Sequence, residues 1–138
     1  MPFSDTVKRV IELATAIRDY WDAELPKRYS KYPLVQPGEE DGPPPPEEAE
    51  LRDLLRSLPP DDVYKLLAIS RLWWGRIPVP DFPTRWRTVV EDEAARYDLD
   101  ATISGMAEYS SVAEDLAEGV QLLSAAGIDL DAAQPAAA

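Results

Sequence analysis

Residues 60–75 have the sequence PDDVYKLLAISRLWWG, and the spacing of their apolar side chains predicts an α-helix. Pro60 suits the first position of a helix, where its missing N–H has no intrahelical partner, and the two aspartates after it complement the helix dipole. Side chains at helical spacing then share one side: Val63, Leu66, Leu67, Ser70 and Trp74. Gly75 predicts the end of the helix, because glycine adopts left-handed dihedrals without steric cost.

Two further helices are predicted before this one. The first covers about residues 5–24, with Ser4 or Asp5 as its cap, and Pro26 is expected to stop it at Leu25. The second helical pattern resumes at residue 47, with Pro46 suited to the first turn, and ends before Pro59, so it should form a hairpin with the helix at residue 60. Both carry apolar stripes: Val7, Val10, Ile11, Ala14, Ile17 and Trp21 in the first, and Leu51, Leu54, Leu55 and Leu58 in the second.

Three more helices are predicted after a proline-containing loop at residues 76–84. Thr84 is the expected cap of the first, Asp98 or Asp100 starts the second, and Ser111 with Glu114 predicts a capping box for the third. Gly127 followed by an apolar residue is typical of a Schellman stop. Their apolar residues are Trp86, Val89, Val90, Ala94 and Tyr97, then Ile103, Met106 and Tyr109, then Val112, Leu116, Val120 and Leu123.

The predicted fold class is all-α, a compact single domain of five to six helices over residues 1–128. Residues 26–46 are expected to be a disordered acidic and proline-rich linker after the first helix, with polyproline II geometry in Pro43–Pro46. The linker is either a solvated spacer or a ligand for a proline-reading domain. Residues 129–138 are expected to be a disordered tail.

The composition excludes the commonest catalytic sites. The chain has 138 residues, no cysteine and no histidine. Disulfides, thiolate nucleophiles, zinc fingers and histidine-based catalysis are therefore absent. The longest apolar run is far short of the roughly 20 residues of a membrane span. The N-terminus lacks the pattern of a signal peptide. We therefore expect a cytoplasmic protein.

The charge is large and unevenly distributed. The formal charge is −12, with net values of +1, −7, +2 and −8 over residues 1–36, 37–62, 63–96 and 97–138. Such a charge opposes binding to DNA, RNA or an anionic membrane. It favours solubility, or a protein partner with a basic surface.

No pattern predicts a catalytic, cofactor-binding or metal-binding residue. The tetrapeptide Asp98–Ala101 recurs at Asp129–Ala132, but neither copy has the glycine and glutamate of a calcium loop, and helix capping is expected for the first. A catalytic Ser70 would need Lys65 or a carboxylate as its base. We expect its hydroxyl to bond to a carbonyl one turn earlier instead.

Arginines and tryptophans alternate between residues 71 and 87. The candidate partner-binding residues are Trp73, Arg76, Arg85 and Trp86. The same pattern is typical of core packing under a loop, of a protein interface and, less often, of base stacking. Trp74 and Trp86 lie on apolar stripes and are the core candidates, whereas Trp73 points about 100° away on its helix and is the exposed candidate.

Several short motifs resemble a known family. They are Trp74-Gly75-Arg76-Ile77, the tryptophan Trp86, Tyr109 and Leu116-Ala117-Glu118-Gly119-Val120, together with the opening helix Val7–Ala14. The chain resembles a small bacterial family known as domain of unknown function 3775. This sequence has Ile77 where the family has a second glycine, and a proline-rich loop precedes Trp86. The resemblance implies an all-helical fold and implies no activity.

The leading hypothesis is a non-enzymatic bacterial protein-interaction module, or an inhibitor, that binds a basic protein surface. A homodimer is the other partnership considered. The rival hypothesis is a small-ligand binder or carboxylate-based enzyme with a pocket between the third, fourth and sixth helices. That rival gains if Asp92, Glu93 or Asp115 lies buried and unpaired beside Arg76.

Overall fold

The computed structural model describes residues 1–109 and 111–132, and within them the chain forms six α-helices and no β-strand. The prediction of an all-α fold is therefore confirmed. Two short 3-10 turns, Leu72–Trp74 and Val79–Asp81, join the third and fourth helices. The helices are α1 Phe3–Arg28, α2 Pro46–Ser57, α3 Pro60–Ser70, α4 Phe82–Arg96, α5 Leu99–Glu108 and α6 Val112–Ala125.

Helix α3 lies at the centre of the molecule. It packs against α4 and α6, while α1 packs against α2 and α6, and α2 packs against α5. Every side chain from Lys65 to Ser70 is buried. A helical segment that is buried on all sides lies in a core, so residues 65–70 of α3 belong to the centre of the molecule.

Helix α6 crosses α3 at unusually close range. Gly119 of α6 sits against Ile69 of α3, and a Cβ at position 119 would overlap the Ile69 carbonyl oxygen. Leu116 and Leu123, three residues before and four residues after the glycine, are completely buried. The crossing therefore depends on the missing side chain at position 119.

Several helix ends follow the predicted signals. Pro46 and Pro60 occupy the first positions of α2 and α3. Asp98 caps α5, because its Oδ1 accepts from Ala101 N at 2.7 Å. Helix α6 ends in the predicted Schellman motif: Gly127 has a φ of +74° and Ile128 N donates to Leu123 O at 3.0 Å.

Both predicted ends of α1 are wrong. The helix begins at Phe3, and the N–H of Ser4 donates to Asp131 at 2.8 Å, so a residue far along the chain does the capping. At the other end the helix continues through Pro26 to Arg28. Ion pairs of Lys27 and Arg28 with Glu24, at 3.6 and 3.4 Å, support this extra turn.

The predicted cap of α4 and the predicted capping box of α6 are both wrong, although α6 begins directly after Ser111, as the sequence predicts. Helix α4 begins at Phe82, and Thr84 Oγ1 donates back to a carbonyl instead of capping. Ser111 makes no capping bond, and its hydroxyl donates to Asp115 at 3.1 Å. Glu114 pairs with Arg18 of α1 at 2.9 Å, so a tertiary contact replaces the capping box.

The segment after α1 is not the disordered linker that composition predicts. Tyr29 is buried, and Tyr20 of α1 donates its hydroxyl to Pro43 O at 2.9 Å. Glu39 accepts from two backbone N–H groups of the same segment, at 2.8 Å each. These bonds hold the pKa of Glu39 below its ordinary value. The expected extended geometry is present at Pro45, with φ −69° and ψ 157°, whereas Pro46, predicted to share it, is the first residue of α2.

The described part of the predicted tail is attached to the start of α1. Asp131 accepts from Ser4, and these hydrogen bonds, with a smaller contribution from nearby Lys65, hold the pKa of Asp131 below its ordinary value. The ammonium of Lys65 lies 4.7 Å from the Phe3 ring, and burial lowers the pKa of this lysine. Residues 133–138 lie outside the described residues.

We expect Gly119→Ala to lower the free energy of unfolding by about 1–3 kcal/mol, because the added methyl group forces α6 away from α3. Gly105→Ala is the matched control, since a Cβ there meets no atom within 4 Å. The control should raise stability by about 0.5–1 kcal/mol through reduced backbone entropy. Urea denaturation measures both, and a Gly119→Ala protein as stable as the wild type would contradict the close crossing.

Candidate functional site

The two adjacent tryptophans project from the turn after α3. The predicted helix to residue 74 is wrong: α3 ends at Ser70, and a 3-10 turn follows that Gly75 closes with a φ of +74°. Trp73 is 49% exposed and Trp74 is 51% exposed. The exposure predicted for Trp73 is confirmed, and the core position predicted for Trp74 is wrong because the helix stops before it. Their rings meet edge to face with centroids 5.9 Å apart.

Trp86 has a different environment from the other two tryptophans. It is partly buried and packs against the hydrophobic core, in line with its prediction as a core candidate. The guanidinium of Arg87 lies 4.7 Å from its ring centroid and also pairs with Asp61 at 2.5 Å. Trp86 thus helps to pack α4 against the core.

The two candidate arginines, Arg76 and Arg85, both contact other groups of the chain. Arg76 donates from Nη1 to Val89 O at 2.7 Å and so ties the loop to α4. Arg85 lies 3.8 Å from Asp81. Among the described residues, no ring contact or hydrogen bond joins Trp73 to Arg76, Arg85 or Trp86. The structure therefore associates Trp73 with Trp74, and the four candidates do not form one cluster.

A pocket of about 300 Å³ opens beside Trp74. It lies where the end of α3 meets α5, the start of α6 and one side chain of α4. The volume is at the lower end of the range of small-ligand sites. The lining residues are Leu67, Ser70, Arg71, Trp74, Glu93, Thr102, Gly105, Met106, Tyr109, Val112 and Asp115.

The walls of the pocket are mainly apolar. Leu67, Met106 and Val112 are buried core residues. The two buried hydroxyls bond to their own helices: Ser70 Oγ donates to Leu67 O at 2.6 Å and Thr102 Oγ1 to a carbonyl at 3.2 Å. The prediction for Ser70 is confirmed, and neither hydroxyl donor is left for a ligand.

Three charged side chains reach the pocket. Arg71 pairs with Glu93 at 3.3 Å and also lies 5.1 Å from the Trp74 ring centroid. Asp115 is half-buried and accepts only the hydroxyl of Ser111, at 3.1 Å. Within residues 1–109 and 111–132 it forms no ion pair. With one arginine and two carboxylates, the formal charge of the pocket is negative.

The rim of the pocket is aromatic. Trp74 and Tyr109 both line it and are both more than half exposed, with Tyr109 at 59%. Helical spacing places Tyr109 on the apolar stripe of α5, but the helix ends at Glu108 and the tyrosine becomes its exposed C-terminal neighbour. Because the helix ends one residue before Tyr109, this side chain lies at the rim of the pocket and not in the core.

Two of the three carboxylates that the sequence analysis named for a pocket do line it. Glu93 and Asp115 line it, whereas Asp92 is exposed and does not. The nearby arginine is Arg71 and not Arg76, since Arg76 is engaged with a backbone carbonyl. Residue spacing within one helix cannot predict this pocket, because its lining residues come from four separate helices.

Comparisons with known proteins supply no relative. No family model, no curated protein and no solved structure matches the chain. The resemblance to domain of unknown function 3775 stays a prediction. Among the described residues, no group of three or more acidic side chains is placed to hold a metal ion, and no helix is long and apolar enough to cross a membrane.

We expect Trp73→Ala and Trp74→Ala to lower the free energy of unfolding by about 1 kcal/mol or less each, because each side chain keeps about half of its surface in water. Trp86→Ala should cost about 1–2 kcal/mol, since part of its ring is removed from water by the core. Thermal and urea denaturation measure all three. A large loss for Trp74→Ala together with a negligible one for Trp86→Ala would reverse the assignment.

Proposed function

We propose that this chain is a non-enzymatic protein-interaction module. Its binding surface is formed by Trp73, Trp74 and Tyr109, named here the aromatic surface, together with the pocket that Trp74 and Tyr109 border. The observation that carries the proposal is the pair of neighbouring half-exposed tryptophans at the mouth of a pocket. Tryptophan buries a large apolar area with few rotatable bonds and dominates many interface hot spots.

The surroundings of the tryptophans support a binding role. Gly75 fixes the turn that carries them, and Arg71 packs over the Trp74 ring, so the surface is held in place before binding. A preformed surface loses less entropy when a partner docks. Exposed large apolar side chains have an unfavourable contact with water, which a partner would relieve.

The charge of the chain indicates what kind of protein would dock. A chain of −12 attracts basic surfaces and accelerates their association at low ionic strength. The same charge disfavours a second copy of this chain and disfavours nucleic acid. The expected partner is therefore a different protein with a basic surface, as the sequence predicted, and its contact residues on this chain are Trp73, Trp74 and Tyr109 in place of Arg76, Arg85 and Trp86.

A second candidate function is supported by the pocket itself. A cavity of about 300 Å³ with apolar walls suits a small organic ligand. Trp73 separates the two candidates, since it belongs to the aromatic surface but does not line the pocket. Removing it weakens the docking of a protein and leaves the binding of a small ligand nearly unchanged.

We expect Trp73→Ala combined with Trp74→Ala to abolish affinity capture of the partner from the native host, because the double variant removes the anchor residues. Leu34→Ala is the matched control, since Leu34 is an exposed apolar side chain (64%) outside the aromatic surface. The measurement compares proteins captured by the wild type, the double variant and the control. A set of captured proteins that is the same for all three contradicts the proposal.

A further inference from the structure

Asp115 is the charged side chain of the pocket that has no oppositely charged partner within residues 1–109 and 111–132. Glu93, the other carboxylate, has Arg71 at 3.3 Å. Among the described residues, the carboxylate of Asp115 accepts only from the Ser111 hydroxyl, although it is half-buried. A carboxylate that is partly removed from water gains most from a cationic partner, because a charge-assisted hydrogen bond replaces lost hydration.

The arginine of the pocket does not make it an anion site. Arg71 is already paired with Glu93 and stacked near Trp74, so its guanidinium is engaged on both counts. An anionic ligand would also approach Asp115 and meet repulsion there. Charge complementarity in the pocket therefore favours a cation.

The shape of the pocket selects a particular kind of cation. Leu67, Met106 and Val112 provide an apolar wall, and Trp74 and Tyr109 provide an aromatic rim. Apolar walls offer no ligand atoms to a small hydrated metal ion, so they do not favour its binding. Lysine and arginine combine an aliphatic stem with a charged end, so the stem covers apolar surface while the head reaches a carboxylate. Aromatic rings around the head add cation–π attraction.

We infer that the pocket receives a lysine or arginine side chain of the partner protein, with its charged end at Asp115 and its stem between Trp74 and Met106. This inference rests on the proposed function, and it names the part of the basic partner that enters the site. The aromatic surface supplies the contact area around the pocket, and Asp115 supplies selectivity for a positively charged residue.

The probe that tests this inference is a set of blocked pentapeptides, each with two glycines on either side of one variable residue. The variable residue is arginine, lysine, norleucine or glutamate. Binding is followed by NMR through the Trp74 indole N–H and the backbone amides of α6, at the millimolar concentrations that a single side chain requires. We expect the arginine and lysine peptides to shift these signals, and norleucine, which has the stem without the charge, to bind roughly tenfold more weakly.

Two variants and one control complete the test. Asp115→Asn should weaken the cationic peptides roughly tenfold to a hundredfold while leaving norleucine binding unchanged, since only a charged hydrogen bond is lost. Glu118→Gln removes an equal charge from an exposed position on the same helix and should have little effect. Gly105→Leu should block all the peptides without unfolding the protein, because position 105 lines the pocket, has open space beside it, and leucine favours a helix.

The outcomes separate this inference from the proposed function. Three results would each overturn the inference that a cationic side chain enters the pocket. They are equal binding of norleucine and lysine, equal effects of Asp115→Asn and Glu118→Gln, or no shift with any peptide. Partner capture that still depends on Trp73 and Trp74 would then leave the interaction module standing. If the peptides instead discriminate as expected while capture ignores both tryptophans, the proposed protein interface fails and the pocket is a site for free cationic molecules.

Discussion

The structure depends on the close crossing of α6 over α3 at Gly119 and Ile69. Asp115 lies four residues before the glycine, one turn along the same helix face, and Ser70 and Arg71 directly follow Ile69. The crossing therefore fixes the distance between the carboxylate of α6 and the residues at the end of α3. A larger residue at position 119 would separate the two helices and widen or dismantle the pocket between them.

The sequence predicted the helices well and the residues at their ends less well. Period and proline positions located α2 and α3, and Gly127 located the end of α6, because those signals act within a few residues. The cap of α1 could not be predicted, since it comes from Asp131. The end of α3 at Ser70 has no glycine or proline signal, because Gly75 closes the following 3-10 turn instead. The resulting exposure of Trp74 and Tyr109 follows from helix ends that were displaced by four residues and by one.

The middle of the chain, residues 63–96, is mildly basic, but most of its arginines are not free to bind an acidic partner. Four of its five arginines contact acceptors of the chain itself: Arg71 pairs with Glu93, Arg76 with the Val89 carbonyl, Arg85 with Asp81, and Arg87 with Asp61. Trp73 and Trp74 of the middle segment remain exposed, and they are the side chains that we propose a partner contacts. The pocket beside them carries an uncompensated carboxylate, which agrees in sign with the −12 charge of the whole chain. Local and long-range electrostatics both favour a basic partner.

The most direct measurement is site-specific photo-crosslinking with benzoylphenylalanine placed at position 73, 109 or 34. If the proposal is right, positions 73 and 109 join covalently to one shared segment of a single partner protein. We expect this segment to contain lysine or arginine and position 34 to give no such product. Crosslinks from position 34 to the same segment, or crosslinks from positions 73 and 109 to unrelated proteins, would contradict a binding surface built around Trp73, Trp74 and Tyr109.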